Sequence, residues 1–408
     1  MEDKKIPNHR LKISKFKLDS LLDITLSINA NLPTADLLSE YEYILRNNLG
    51  IGKILIFKHS GTWECLLNGG FPKHFESIDV GSRLLKISEI AFVTPDLGFE
   101  GVDIIIPVYN NNVHLAFVFI GDIEEEGEGM SPVLKHLNFI QTISSIIIVA
   151  IENIRLFKES LRQEAIKKEL ELAARMQKVL IPDNSHMPKN ARLVVNGFYY
   201  PHYEVGGDYY DCIKLSETKT GFCIADVSGK GISAAMLMSN FQASLRALLT
   251  QDIKLEILIN KLNSIVTVNA AGEKFITFFV ARYDHESGVL EYINAAHNPP
   301  VIYNTITGEI NHLRASCVGL GMVDEIPVFE KSEILISGYS KIVCYTDGLS
   351  ELKGADGKEV GTAVIIRHIS NMEPVENNIR EMIRELGLPD DNPSTFDDVS
   401  IIAADLIR

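Results

Sequence analysis

The sequence predicts a multidomain α+β protein, in which an α/β N-terminal domain is joined by a long helix to a C-terminal domain of two sheets with helices packed outside them. Three observations predict it. Helix-type and strand-type periodicities alternate through residues 1–130, an almost unbroken helical pattern runs through 131–182, and short β-rich runs with two helical patches fill 183–408. A chain of 408 residues also exceeds what a single hydrophobic core usually organises.

In the first domain, "LDSLLDITLSINANL" places apolar residues three and four apart, and "TADLLSEYEYILRNNL" repeats the pattern with Thr34 as its candidate cap. "KILIF", "WECLL", "DIIIPVY" and "HLAFVFIG" are β-rich and bounded by Gly, Pro and Asn. Trp63, Phe71, Phe92 and Phe99 could line a pocket, although core packing is the commoner fate of such residues. After the acidic loop "EEEGEGMSP", Ser131 can cap the long helix and Pro132 suits its first turn.

That helix carries Ile147, Ile151, Ile154, Leu161, Ala165, Leu172 and Val179 on one roughly heptad-spaced stripe, interrupted by Lys158, Lys168 and Arg175. Two readings stay open. The helix lies on its own domain, or it dimerises and links an input to an output. Pro182 closes it. Beyond it, "GISAAMLMSNFQASLRALL" and "KLEILINKLNSIVTVNA" read as helices, and "EKFITFFVARYD", "GVLEYINAA", "PPVIYN" and "KIVCYT" as strands.

Composition excludes several functions. A net charge of -15 disfavours a nucleic-acid binder, which needs a basic surface. Cys65, Cys212, Cys223, Cys317 and Cys344 form no C-x-x-C pair, which points to buried thiols in a reducing compartment. The charged N-terminus has no apolar core of a secretion signal. "FIQTISSIIIVAIENI" is interrupted by Gln141 and Glu152, so no membrane span is expected and a cytoplasmic protein is.

Acidic residues gather at the ends of apolar runs. "VGGDYYD" sets Asp208 after two glycines, "FCIADVSG" ends at Asp226, "KIVCYTDGL" ends at Asp347, and "TFDDVSIIAAD" starts at Asp397 and Asp398. A single Asp-Gly is usually just a turn. Several carboxylates converging on one sheet rim would repel one another unless cations neutralised them, and oxygen-only donors suit Mg²⁺ or Mn²⁺. Two such ions would activate a water and bind the oxygens of a phosphate monoester. In "CIADVSGKGISAAM" two glycines flank Lys230, which is expected to point into solvent.

Taken together, "VGGDYYD", "ADVSGKGISAAMLMS", "NAAHNPP", "YTDGLSE" and "FDDVSIIAA" resemble, in their order, the bacterial SpoIIE-type branch of the metal-dependent type 2C (PPM) serine/threonine phosphatases. "LELAARMQKVLIP" is similar to that family's helical lead-in, so the resemblance covers about residues 170–408. It implies an αββα sandwich phosphatase domain at 183–408 binding two divalent cations, Mn²⁺ or Mg²⁺. It makes Asp226 the bridging ligand, gives the second metal the Val227 carbonyl, completes the first with Asp347 and Asp397, and has Asp208 act through water. Asp226 and Asp208 are thereby the catalytic pair, and Asp397 is favoured over Asp398.

The implied substrate is a phosphoserine or phosphothreonine protein such as a STAS-domain anti-sigma-factor antagonist. One departure is Ala296, where the family has glycine; His297 beside it could face substrate or hold the Asn294–Pro300 turn. Residues 18 to about 150 resemble a GAF sensor domain by element order, implying an unidentified ligand or protein partner and, with the helix, a homodimer.

Two other classes compete. "GGDYY" is similar to the hairpin of diguanylate cyclases, but Tyr209 and Tyr210 depart from its signature, and "SGKGIS" lacks P-loop spacing. A phosphatase-fold scaffold without turnover is the third reading; the presence of every acidic position disfavours it.

Overall fold

The computed structural model describes residues 6–94, 98–110, 113–123, 132–202, 205–354, 357–388 and 397–408. The chain divides into two compact units, Met1–Glu164 and Ala165–Arg408. Ser131 and the acidic loop before it lie outside the described residues.

The first unit comprises α1 (Ile6–Asn29), α2 (Thr34–Tyr43), β1 (Ile51–His59), β2 (Trp63–Gly69), α3 (Val80–Arg83), β3 (Ala91–Phe92), β4 (Ile104–Asn110), β5 (Val113–Ile123) and the greater part of α4 (Pro132–Lys178). Its strands form an antiparallel sheet of order β2-β1-β5-β4-β3. Strand alternation divides the core in two. Ile54 and Ile56, with Val118 and Ile120, face a cluster built with Leu37, Tyr41, Ile140 and Ile147 of the helices. Leu55 and Phe57, with Phe117 and Phe119, face the opposite cluster with Phe71, Phe75 and Phe99. Phe71 and Phe99 are therefore core residues, Trp63 packs at their edge, and Phe92 is exposed.

Thr34 is the first helical residue, with Pro33 in the cap position and no side-chain cap. α4 begins at Pro132 as expected and ends at Lys178, before Pro182. Its Ile140, Ile143, Ile147, Ile148 and Ile151 are buried in the first unit, whereas Phe157, Leu161 and Leu172 further along, and Val179 just past its end, are exposed. Among the described residues one helix segment, His136–Lys178, is long and apolar enough to cross a membrane by composition, and half of its most apolar window is buried in the protein.

Glu152 interrupts the apolar run for a reason. Lys58 of β1 is buried and its Nζ stands 2.5 Å from Glu152 Oε2, while Arg155 Nη2 stands 2.7 Å from Oε1. The Arg155 hydrogen bonds, aided by Lys58 and opposed by burial, hold the Glu152 carboxyl down at about 2.

The second unit comprises β6 (Leu193–Tyr200), β7 (Tyr209–Lys214), β8 (Lys219–Val227), α5 (Ile232–Leu248), α6 (Leu255–Ala270), β9 (Ile276–Asp284), β10 (Val289–Ala295), β11 (Val301–Asn304), β12 (Ile310–His312), β13 (Ser332–Leu335), β14 (Tyr339–Tyr345), α7 (Asp347–Ser350), α8 (Ala363–Ile369), α9 (Val375–Glu385) and β15 (Val399–Ile407). The strands form two sheets of order β13-β10-β9-β8-β7 and β12-β11-β14-β15-β6. One core joins Phe222, Ile224 and Phe279 of the first sheet to Val195, Ile342 and Ile402 of the second, and to the apolar faces of α5 and α6. A separate core packs Val343, Ile401 and Ala403 against α8 and α9.

The sequence pattern did not separate α8 and α9 from their surroundings, although Val375, Ile379 and Met382 are spaced for one buried face. Ala296 adopts φ 55°, so the alanine accepts the left-handed conformation that glycine takes freely, at about 1 kcal/mol.

The buried ion pair makes a prediction. Lys58→Met should destabilise the protein by about 2 kcal/mol in denaturant unfolding, because Glu152 stays buried with Arg155 alone. Because the Glu152 carboxyl titrates lower folded than unfolded, its contribution is complete above its unfolded value near 4.5 and is lost as pH falls towards 2. The destabilisation by Lys58→Met should shrink over that window.

Candidate active site

Each sheet of the second unit ends one antiparallel pair in aspartates. In β7–β8, Tyr209 pairs with Ala225, so Asp208 and Asp226 stand one step further along the ladder. In β14–β15, Tyr345 pairs with Ile401 and Thr346 N donates to Ser400 O at 3.1 Å. Asp347 then opens α7, one residue past the strand end expected from sequence, and Asp397 and Asp398 precede β15.

Polar cross-links bring the two rims together. Thr346 Oγ1 donates to Asp208 Oδ2 at 2.8 Å and accepts from Ser400 N at 3.0 Å. Asp398 Oδ1 accepts from His202 N at 2.8 Å, and its Oδ2 accepts from Gly207 N at 2.7 Å. Space around Asp398 requires glycine at two positions. A Cβ on Gly206 would meet Asp398 Oδ2 at 2.3 Å, and one on Gly348 would meet Asp398 O at 2.0 Å.

Gln177, near the end of α4, holds the same turn: its Nε2 donates to Gly206 O at 2.6 Å and its Oε1 accepts from Gly206 N at 3.1 Å. The Val227 carbonyl faces Gly207, 3.0 Å from where a Cβ would sit. Below the rim, buried Asp211 accepts from Tyr209 Oη, and from Arg246 Nε at 2.7 Å and Nη2 at 3.1 Å, which ties β7 to α5.

Electrostatics mark the cluster. Burial, then the charges of Asp226 and Asp398, push the Asp208 carboxyl well above the ordinary range. Burial, then Asp347, Asp397 and Asp398, push Asp226 up to about 7. Burial and Asp397 raise Asp347 as well. Lys230 differs from the expectation of a side chain in solvent: its Nζ stands 3.0 Å from Asp397 Oδ2, both side chains being about two-fifths exposed.

Oxygen donors from four chain segments, charged against one another, fit hard divalent cations. Among the described residues, no three His, Cys, Asp or Glu side chains are grouped so as to hold one ion. Backbone carbonyls or water would therefore have to complete any shell.

His297 is buried and neutral, pushed down to about 4 by that burial. Its Nδ1 lies 2.9 Å from Oγ1 of Thr277, the residue paired with Asp226. Its N donates to Asn294 Oδ1 at 2.8 Å and its O accepts from Asn294 Nδ2 at 3.1 Å. The imidazole meets Thr277, beside the cluster, while the His297 backbone and the Asn294 side chain close the turn. Sequence reasoning missed Thr346, Gln177 and the bracing role of Asp398; "YTDG" shows a hydroxyl next to the acid but not its partner 138 residues away.

Residues 216–407 match the family model Stage II sporulation protein E (SpoIIE). Over that stretch the chain is similar to SpoIIE-family domains. Phosphoserine phosphatase RsbU of Bacillus subtilis is 30% identical over 195 residues, covering 48% of this chain and 57% of that protein. Phosphoserine phosphatase RsbP of Bacillus subtilis is 25% identical over 189 residues, covering 45% and 46%. The chain thus spans about half the length of these curated relatives. The SiaA-PP2C domain of Pseudomonas aeruginosa superimposes with a TM-score of 0.50 at 16% identity, covering 60% of this chain and 98% of that one. That likeness concerns the fold, which the SpoIIE-family domain shares.

Two outcomes test the site. Asp398→Ala should destabilise by about 2–3 kcal/mol, since one buried and one half-buried amide lose a charged acceptor. Asp397→Asn should change stability by less than about 1 kcal/mol, as expected of a half-exposed pair; denaturant unfolding compares them. Separately, Asp226 binds its proton more tightly folded than unfolded, so the metal-free protein should lose stability as pH rises from about 4 to about 7. Asp226→Asn should flatten that slope and raise the metal-free thermal midpoint at pH 7.5 by roughly 5 °C, and Mn²⁺ should then stabilise wild type but not the variant.

Proposed function

We propose that the chain is a metal-dependent protein serine/threonine phosphatase governed by an N-terminal input domain. The observation that carries this reading is the meeting of Asp208 and Asp226 from one sheet with Asp347 and Asp397 from the other, at cross-linked strand ends. Phosphatases of this family depend on divalent metal, and the donor set here is of that chemistry. Asp226, the Val227 carbonyl, Asp347 and Asp397 would hold two divalent cations, Mn²⁺ or Mg²⁺, with Asp208 contributing through water. When bound, those ions supply Lewis acidity toward phosphate oxygens and a water nucleophile at neutral pH.

The protein's own part is positional. Asp226 and Asp208 are the catalytic pair, and Thr346 fixes the Asp208 carboxylate by donating to Oδ2. Asp398 fixes the turn preceding it by accepting from Gly207 N. Burial keeps both carboxylates short of water, which raises their drive to bind cations rather than stay hydrated.

The finer reading follows the same line. Residues 1–130 are a GAF-like input domain for a small molecule or protein, 131–182 are a helical linker, and 183–408 are an αββα phosphatase domain. The exposed apolar residues of α4 beyond Leu156 support a homodimer formed along the linker. The substrate is a phosphorylated STAS-domain anti-sigma-factor antagonist, in the cytoplasm.

Asp226→Asn should abolish Mn²⁺-dependent hydrolysis of a phosphoserine protein, by roughly a thousandfold or more. Full activity in that variant would refute the mechanism. Phosphoproteomic comparison of wild type with Asp226→Asn should show one protein hyperphosphorylated in the variant strain, and its sequence tests the STAS assignment.

A further inference from the structure

Lys230 stands in an unusual place for a surface lysine. It sits between Gly229 and Gly231, each at φ 80°, on the loop that joins Asp226 to α5. Its ammonium pairs with Asp397 and bears electrostatically on Asp347 and Glu351 as well. All but Asp347 of these border a cleft of about 400 Å³, which Gly348 and Lys353 also line.

A phosphate monoester dianion entering this cleft meets the carboxylates Asp397, Glu351 and Glu359 alongside Lys230 and Lys353. Cations bound to the carboxylates would neutralise only the inner part of that field. A long, half-exposed ammonium on a short glycine-flanked loop is suited to the outer part, because it carries a point charge to a phosphate oxygen without a fixed geometry.

We propose that Lys230 is a phosphate-binding residue of this site, held on Asp397 when no metal is bound and released toward substrate phosphate when Asp397 turns to metal. This rests on the phosphatase reading. The ammonium thus competes with metal for Asp397 in one state and complements metal in the other. A plain surface ion pair would do the first but not the second.

The test uses the full-length chain and the variants Lys230→Met and Lys230→Arg. Mn²⁺ is titrated into metal-stripped protein by calorimetry, and inorganic phosphate is measured both by calorimetry on Mn²⁺-loaded protein and as a competitive inhibitor of phosphoserine-peptide hydrolysis. Lys230→Met should bind Mn²⁺ roughly threefold more tightly and inorganic phosphate roughly tenfold more weakly. Lys230→Arg should keep phosphate affinity within about threefold of wild type.

Unchanged phosphate affinity in Lys230→Met would overturn the assignment while leaving the phosphatase reading intact. Failure of wild type to bind Mn²⁺ and to release phosphate from any phosphoserine substrate would remove both.

Discussion

The C-terminal unit is organised around a contact between two sheets that places like charges together. Asp208 and Asp226 end one ladder, and Asp347, Asp397 and Asp398 border the end of the other. Nothing in sheet pairing alone would bring these rims into register. Thr346, which donates to Asp208 and accepts from Ser400, and Asp398, which accepts from His202 and Gly207, make the junction. Every bond in it is directional and buried or half-buried, so the junction sets position where hydrophobic packing sets only proximity.

That junction is costly by itself. Asp226 is driven up to about 7 because its neighbours are carboxylates in a dry setting. The surrounding core supplies the compensation. Phe241 of α5 meets Phe278 of β9 edge-on at 5.0 Å, and Leu237, Met238 and Leu245 seat the same helix on the sheet. Dense packing beside a strained charge cluster is the usual arrangement of a site whose stability is spent on function.

Much of this was legible in the sequence, and the residues show why. The strands and the two main helices follow from periodicity, because apolar spacing states directly which face is buried. The acidic positions were readable as strand-end aspartates next to glycine. What periodicity could not give was the division of labour between Asp397 and Asp398. Both oxygens of Asp398 are taken by backbone amides far off in sequence, whereas Asp397 stays half exposed beside Lys230.

Thr346 and Gln177 were missed for the same reason: their partners are 138 and 29 residues away, and polar cross-links leave no period. Thr34 shows the opposite error. A hydroxyl at a helix start is a good cap by type, yet Pro33 already fixes the entry angle and takes the position.

The loop from Asp226 to α5 shows how tightly such a site can be set while one side chain stays adaptable. Ser228 N donates to Phe275 O at 2.9 Å, its hydroxyl accepts from Phe275 N at 2.9 Å, and its carbonyl accepts from Lys274 Nζ at 3.0 Å. Gly231 starts α5, and Arg246 pins the far end of that helix to Asp211. Both ends of the loop are therefore fixed by groups outside it. The short span left between them holds Lys230, whose half-exposed ammonium pairs with Asp397. In a cluster short of positive charge, that is where a movable cation has the greatest electrostatic effect for the least conformational cost.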